Sequence, residues 1–306
     1  MKLLHTLTAA ATSLLLASQS SQAALTLYEG FEYTSGDDLD GNGSGIGFGS
    51  NLWTGLNSSG TNPHSVGSGL SFGSLEVTGG SAERDIRNGR STATRLIAAS
   101  SVTDLTADNT TIWFSVLMDP TINTATTGGQ PANTYGTLIF GNAGLTDSSS
   151  GTQNGAGTTI ANSGDAVGVG FFGNTTFAGV GIQGVTFSDG TIDQGNGASN
   201  AITTGDSLSL IVGRIDWAAD GSNDTITLYD VTDPAAGLPG TAFSTMTLDV
   251  DQTTFDTISI SGGQTEAFDE IRFGTELADV IPVPEPSSSL LLGLGSAALL
   301  LRRKRA

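Results

Sequence analysis

The sequence contains no cysteine and only two histidines, His5 and His64. Disulfides are therefore excluded as a source of stability, and a cysteine nucleophile is excluded as a catalytic group. A zinc site of the usual histidine and cysteine type cannot be built either, because His64 is the only histidine beyond the N-terminal segment. The chain must be stabilised by its hydrophobic core, and bound ions are the other available source.

Positive charge is also scarce. The chain has 11 basic and 30 acidic residues, and its formal net charge is -19. Residues 24–281 hold 6 of the basic and 29 of the acidic residues, so this segment has a formal charge of -23. Such an acidic surface repels phosphate backbones, and nucleic acid is not expected as a partner. It suits solubility outside the cell and the binding of divalent cations.

Long apolar runs occur only at the two ends of the chain. Lys2 precedes a largely apolar stretch over residues 3–17, and small residues follow at Ser21 and Ala23. This order predicts a signal peptide over residues 1–23, cleaved between Ala23 and Ala24. A buried N-terminal helix is the alternative interpretation of the same stretch.

The C-terminal tail, residues 282–306, combines a proline motif, an apolar run and a basic cluster. These are Pro284, Glu285 and Pro286; residues 290–301; and Arg302, Arg303, Lys304 and Arg305. The apolar run is shorter than the roughly 20 residues that a full membrane span prefers. Because a basic cluster stays on the cytoplasmic side, we expect the tail to insert as a membrane helix that leaves the preceding chain outside. The prolines cannot continue that helix and mark its end.

This arrangement resembles the PEP-CTERM sorting signal of exosortase-processed bacterial proteins. The resemblance covers only the tail. It implies transient membrane insertion and then cleavage near the proline motif by an exosortase-type protease. Release, or attachment at the cell envelope, cell surface or extracellular matrix, would follow. A plain tail anchor is the alternative, and both interpretations place residues 24–281 outside the cytoplasm.

Residues 24–281 show the alternation of apolar and polar side chains that is typical of half-buried strands. We predict strands at Leu70–Val77, Thr111–Met118, Thr134–Phe140, Ala166–Phe172, Gly179–Phe187, Ser207–Trp217, Thr225–Val231, Phe255–Ile260 and Phe268–Phe273. Clusters of Gly, Asn, Asp, Ser and Pro between them form turns. The expected fold is all-β, a two-sheet antiparallel jelly-roll sandwich between an N-terminal signal helix and a C-terminal membrane helix. Two long polar stretches, Thr121–Asn133 and Thr146–Asp165, are predicted surface loops.

Short motifs spread over this segment resemble concanavalin A-like (laminin G-like) jelly-roll domains. They are Tyr28-Glu29-Gly30-Phe31-Glu32-Tyr33, Gly47-Phe48, Trp53-Thr54-Gly55, Arg214-Ile215-Asp216-Trp217, Asn223-Asp224-Thr225-Ile226-Thr227-Leu228-Tyr229, Phe268-Asp269-Glu270-Ile271-Arg272-Phe273-Gly274 and Ala278-Asp279-Val280. The resemblance implies a sandwich of two sheets, a fold commonly used for sugar binding or adhesion.

Two acidic stretches are candidate calcium sites. Asp38, Asp40 and Asn42 match the start of a calcium loop, in which alternate oxygen side chains surround a glycine turn. The glutamate that should end such a loop is replaced by Gly49. The second stretch consists of Asp216, Asp220, Asn223 and Asp224. A simple turn explains the first stretch equally well, and a hairpin turn is the favoured interpretation of the second. No cofactor is expected apart from calcium.

Trp53 is the candidate for stacking on a sugar ring, because Gly and Asn surround it in a loop-like stretch. Trp113 and Trp217 lie in apolar strand runs and are expected in the core.

Enzymatic motifs are weak. A glycosidase needs two carboxylates facing one bond, and Asp269 and Glu270, as neighbours on a strand, should point to opposite faces. His64 follows a proline in a turn-like stretch without a recognisable triad motif. We therefore expect a non-enzymatic surface or matrix protein with a structural or adhesive role, through contact with extracellular polysaccharide. The alternatives are a divergent glycoside hydrolase or lyase, and a purely structural protein without a specific ligand.

Overall fold

A computed structural model describes most of the chain between its two ends. The described residues are 25–56, 64–120, 135–142, 146–147, 160–161, 165–173, 180–188, 191–193, 201–205 and 207–282. Leu25–Pro282 forms one compact unit. The predicted signal helix and membrane helix lie outside the described residues, and among those residues no helix is long and apolar enough to cross a membrane.

Antiparallel strands make up most of this unit, which confirms the mainly β fold. The strands are β1 (Leu27–Glu29), β2 (Thr54–Leu56), β3 (Ser65–Ser68), β4 (Gly80–Leu96), β5 (Thr111–Asp119), β6 (Tyr135–Gly141), β7 (Thr146–Asp147), β8 (Ile160–Ala161), β9 (Ala166–Gly173), β10 (Val180–Ser188), β11 (Thr191–Asp193), β12 (Ala201–Gly205), β13 (Ser209–Asp216), β14 (Asp224–Val231), β15 (Ser244–Leu248) and β16 (Thr257–Gly274). Two short α-helices, α1 (Ala99–Leu105) and α2 (Leu277–Val280), and two 3-10 turns, Pro234–Ala236 and Gln252–Thr254, complete it.

The strands form two layers that are joined through β4 and β16. The first half of β16 pairs with β6, and the order continues through β9 and β10 to β11. The second half of β16 pairs with β5, and the order continues through β13 and β14 to β15. β4 runs antiparallel to β16, from Leu96 opposite Thr257 to Ala82 opposite Phe268. This long pair of strands therefore passes from one layer to the other.

The main core lies between the two layers. Phe171 of β9 stacks on Phe268 of β16 with 6.0 Å between the ring centroids. Phe140 of β6 meets Phe273 at 5.4 Å. A sandwich of two antiparallel sheets follows from these contacts, since side chains of one layer interdigitate with those of the other. The finer jelly-roll topology stays a prediction.

A second apolar cluster covers the outer face of β5, β13 and β14. Leu117 and Leu210 of these strands pack under Leu75, and Val280 and Ile281 pack at the same place. The predicted strand Leu70–Val77 is wrong, because this segment is not paired with any strand among the described residues. Its apolar side chains follow a strand-like alternation because they cover a hydrophobic face, whereas the backbone runs irregularly.

The sequence patterns missed β4, the second-longest strand, and divided β16 into two. β4 carries inward-facing polar side chains at Arg84, Ser91 and Arg95, all of them buried. These residues break the apolar alternation on which a strand prediction depends. α1 was also missed, because seven residues are too few for a clear helical period.

Candidate functional site

Three strands bring together a buried polar cluster of four side chains: His64, Arg84, Ser91 and Glu266. His64 immediately precedes β3, which pairs with the first part of β4. Arg84 and Ser91 lie on β4, and Glu266 lies opposite Arg84 on β16. The cluster therefore forms where the pairing of β3, β4 and β16 directs their side chains inward.

The imidazole of His64 lies between a hydroxyl and a carboxyl group. Its Nδ1 is 2.9 Å from Ser91 Oγ, and its Nε2 is 3.4 Å from Glu266 Oε1. His64 and Ser91 are each 1% exposed, and Glu266 is fully buried. Arg84 Nη1 donates to the carbonyl oxygen of Gly262 over 3.2 Å.

Burial governs the charges in this cluster. Loss of water contact, and to a smaller extent the positive charge of Arg84, lower the pKa of His64 to about 3. Burial also raises the pKa of Glu266 well above its ordinary value, while Arg84 acts in the opposite direction. His64 is therefore a neutral imidazole at physiological pH, with one nitrogen that donates and one that accepts.

Two facing side chains of this cluster, His64 and Glu266, have polar atoms without hydrogen bonds in the part of the chain that the structure describes. Among the described residues, His64 Nε2 and both carboxyl oxygens of Glu266 have no hydrogen-bond partner. Gly262 makes room for the carboxyl group, since a Cβ at this position would lie 1.9 Å from Glu266 Oε1. Buried polar atoms without partners are costly, and in native proteins they call for a specific reason.

The arrangement is chemically that of a nucleophile, a base and an orienting acid. With the imidazole proton on Nε2, Nδ1 can accept the hydroxyl proton of Ser91 while Glu266 faces the N–H group. Sequence reasoning missed this cluster because Ser91 and Glu266 come from segments remote from His64. The only available signal was that His64 is the single histidine of the folded segment.

Two side chains of the first predicted calcium loop have hydrogen-bond partners of their own. Asp40 Oδ1 accepts from the backbone N–H of Gly55 over 2.8 Å, and the side-chain amide of Asn42 donates to the carbonyl oxygen of Asp38 over 2.6 Å. In the described part of the chain, no group of three or more His, Asp or Glu residues is placed to hold a metal ion. Calcium binding by Asp38, Asp40 and Asn42 stays a prediction.

The second acidic stretch is a hairpin turn between β13 and β14, which confirms the favoured interpretation. Asp224 is buried and accepts from the backbone N–H groups of Ala218 and Val250. Asp216 instead pairs with Arg214. Asp220 and Asn223 are exposed. The four oxygen side chains are therefore divided between different partners.

Trp53 needs a correction, because its ring lies in the core. It is 1% exposed, stacks on Phe31 at 6.0 Å, and donates from Nε1 to Glu29 Oε2 over 3.0 Å. No face of the ring is open to a sugar in this structure. The expected core position of Trp217 is confirmed, at 3% exposure.

The hydrogen bond from Trp53 belongs to a buried ion pair between Glu29 and Arg95. Glu29 also accepts from the backbone N–H of Phe31 and from the hydroxyl of Tyr33. Burial raises the pKa of Glu29, and Arg95 followed by these donors opposes the change. The motifs that resemble the start of a concanavalin A-like domain thus build a structural network.

Asp269 and Glu270 also differ from expectation, because β16 has a bulge between Asp269 and Arg272. Glu270 has a φ of 52°, and regular alternation is lost at this position. Both carboxyl groups are buried and bind the covering segment: Asp269 accepts from Leu70 N, and Glu270 accepts from Thr78 N. Neither faces an open groove of the kind that glycoside hydrolysis requires.

Residues 282–305 match the model of the PEP-CTERM protein-sorting motif. The chain carries a PEP-CTERM sorting motif. The match covers the tail that the sequence pattern had singled out, and such a motif indicates export and sorting to the cell surface. The tail itself lies outside the described residues, so its insertion in a membrane stays a prediction. No curated protein matches the chain.

Solved structures similar to the body are sandwich proteins of low identity. A carbohydrate esterase of the Shiga toxin-encoding bacteriophage phi24B has 11% identity and a TM-score of 0.39, over 82% of this chain and 97% of that chain. Peanut lectin has 12% identity and a TM-score of 0.35, over 73% and 96%. A seed lectin of Lotus tetragonolobus has 13% identity and a TM-score of 0.37, over 78% and 97%. These likenesses carry no inference about ligand or activity.

Proposed function

We propose that this protein is an exported structural or adhesive component of the cell surface or extracellular matrix, delivered by processing of its C-terminal tail. The observation that carries the proposal is the match of residues 282–305 to the sorting motif. An exosortase-type protease removes the tail near Pro284, Glu285 and Pro286, and the acidic β-sandwich is left outside.

The acidic composition of the folded segment supports the adhesive part of the proposal. Its formal charge of -23 keeps it soluble and suits contacts with other matrix components through divalent cations. Its stability does not depend on disulfides, since the chain has no cysteine. We propose extracellular polysaccharide as the partner of this segment, with a purely structural role as the alternative.

Removal of the negative charge in the motif tests the sorting proposal. We expect Glu285→Ala to retain the tail and accumulate in the membrane fraction, whereas the wild type appears outside the membrane with a shortened C-terminus. Fractionation followed by intact-mass measurement checks both properties. The matched control is Glu32→Ala, which removes an exposed glutamate of the body. If Glu285→Ala keeps the wild-type distribution and mass, the sorting proposal is wrong.

Co-sedimentation of the released protein with insoluble envelope polysaccharide tests the adhesive role separately. We expect the released form to sediment with the polysaccharide, and more of it when calcium is added. A released protein that stays in the supernatant under both conditions would contradict polysaccharide binding and favour the purely structural role.

A further inference from the structure

We propose that Ser91 is a nucleophile for acyl transfer, with His64 as its general base and Glu266 as the residue that positions His64. This activity is distinct from the proposed surface role and does not depend on it. The geometry described above places all three groups within one buried cluster.

The hydrogen bond between Ser91 and His64 is the first step of the argument. The 2.9 Å separation of Ser91 Oγ and His64 Nδ1 lies within the range over which a base removes a hydroxyl proton. Burial keeps His64 neutral, so that Nδ1 has a free lone pair for this proton. Ser81 of the same strand provides the contrast. Its hydroxyl donates to the backbone carbonyl oxygen of Ser68, which cannot act as a base.

The position of Glu266 is the second step. Its Oε1 lies 3.4 Å from His64 Nε2, and neither atom has a hydrogen-bond partner among the described residues. Catalytic hydrogen bonds are often long before substrate binds and shorten during the reaction. When His64 takes up the proton of Ser91, both ring nitrogens carry protons, and Glu266 Oε1 can accept a hydrogen bond from the Nε2 N–H group.

The reaction that follows is the hydrolysis of a small ester. Ser91 Oγ attacks the ester carbonyl, its proton passes to His64 Nδ1, and a tetrahedral intermediate forms. The carbon–oxygen bond to the alcohol then breaks, and the alcohol leaves with the proton from His64. Water, deprotonated by His64, attacks the acyl-serine and releases the carboxylic acid and free Ser91. The products are one acid and one alcohol, and no other reactant is needed.

Arg84 and the close packing restrict the substrate class. Arg84 supplies a positive charge within the cluster, which favours the negative oxygen of the tetrahedral intermediate. Because Ser91 and His64 are each 1% exposed, the proposed reaction is restricted to a compact acyl group such as acetyl. We expect slow turnover for the same reason.

The test is covalent labelling of the exported, folded protein with methanesulfonyl fluoride, a compact reagent that reacts with activated serines. Peptide mapping should find the label on Ser91 and not on Ser81, the buried control serine of β4. Unfolding in urea should abolish this preference. If Ser91 of the folded wild type stays unlabelled, or if Ser81 is labelled equally, the proposal is wrong.

Variants then assign the roles. His64→Gln should lower the labelling rate of Ser91 by about 100-fold or more, the usual contribution of a general base. Glu266→Gln should also lower the rate, and Glu266→Asp should restore part of it, a recovery that a merely structural role does not require. Ser91→Ala should abolish both labelling and hydrolysis of p-nitrophenyl acetate. Each variant is first checked for wild-type circular dichroism, and the labelling of the wild type decides the proposal even if a variant fails to fold.

Discussion

Two glutamates buried inside the sandwich have opposite environments. Glu29 pairs with Arg95 and accepts three further hydrogen bonds, from Phe31, Tyr33 and Trp53. Glu266 lies opposite Arg84, near the other end of β4, yet neither of its oxygens has a hydrogen-bond partner in the part of the chain that the structure describes. Both side chains are fully buried.

The difference in hydrogen-bond partners assigns different roles to the two glutamates. Glu29 belongs to a stabilising network, and Glu266 belongs to the cluster for which we propose reactivity. A buried carboxylate with its hydrogen bonds complete holds one conformation, and each partner raises the cost of changing it. A buried carboxyl group without partners lowers stability, and natural proteins keep such groups mainly where function requires them. The following predictions test whether the two glutamates really differ in this way.

The largest effect is expected for Arg95→Leu, which leaves Glu29 buried without its cation. Breaking a buried pair in this way typically lowers the free energy of unfolding by about 3–5 kcal/mol. Urea denaturation monitored by tryptophan fluorescence measures it. The control is Arg214→Ala, which breaks the partly exposed pair with Asp216 and should cost less than about 1 kcal/mol. Similar losses for the two variants would refute the structural role of Arg95.

A matched pair of glutamate-to-glutamine substitutions gives the second comparison. Glu29→Gln places an amide against groups that donate, and we expect it to lower the free energy of unfolding by about 2–4 kcal/mol. Glu266→Gln removes a carboxyl group without hydrogen-bond partners among the described residues, so the change should stay below about 1 kcal/mol. Chemical denaturation of both variants at pH 7 gives the comparison. An equal loss in both would show that Glu266 is as well paired as Glu29.

Asp269 provides a smaller effect for each pH unit, seen as a dependence of stability on pH. Burial raises its pKa from 3.8 to about 8, with the backbone N–H of Leu70 acting in the opposite direction. Because the folded state holds this proton more tightly, the contribution of Asp269 is complete below about pH 3.8 and is lost as pH rises to about 8. The loss is at most about 1.4 kcal/mol per pH unit.

The variant Asp269→Asn cannot titrate at this position and isolates the contribution. We expect the free energy of unfolding of the wild type to fall more steeply between pH 5 and pH 7 than that of the variant. Urea denaturation at several pH values measures both slopes. Parallel slopes would mean that Asp269 is already ionised in the folded protein at pH 5.

Much of the fold could be predicted because strand alternation is a local property. Thr225–Val231 alternates buried and half-buried side chains over most of its length, Thr111–Met118 alternates as far as Phe114 and then buries every side chain, and both are strands in the structure. β4 escaped prediction because its inward side chains include Arg84 and Arg95, whose burial depends on partners elsewhere in the chain. Leu70–Val77 was predicted as a strand for the opposite reason, since a covering segment can alternate without pairing.

The candidate sites also differ in whether the sequence alone could predict them. The sorting tail is a continuous stretch whose chemistry is written in the order of its residues, and the match of residues 282–305 agrees with it. The neighbours of Trp53 in the sequence predict an exposed ring that stacks on a sugar, whereas contacts with Phe31 and Glu29 bury this ring in the structure. Local composition cannot report such contacts.

The sequence by itself determined the addressing of this protein and its mainly β architecture, because apolar runs, charge clusters and alternation act through neighbouring residues. Only the tertiary structure decided which polar side chains would be buried together. Strand pairing joins His64, Ser91 and Glu266 from three distant segments, and the bulge at Glu270 turns two adjacent carboxyl groups toward one covering segment. The physical reason is that burial and hydrogen bonding depend on proximity in space, which the order of residues along a chain does not specify.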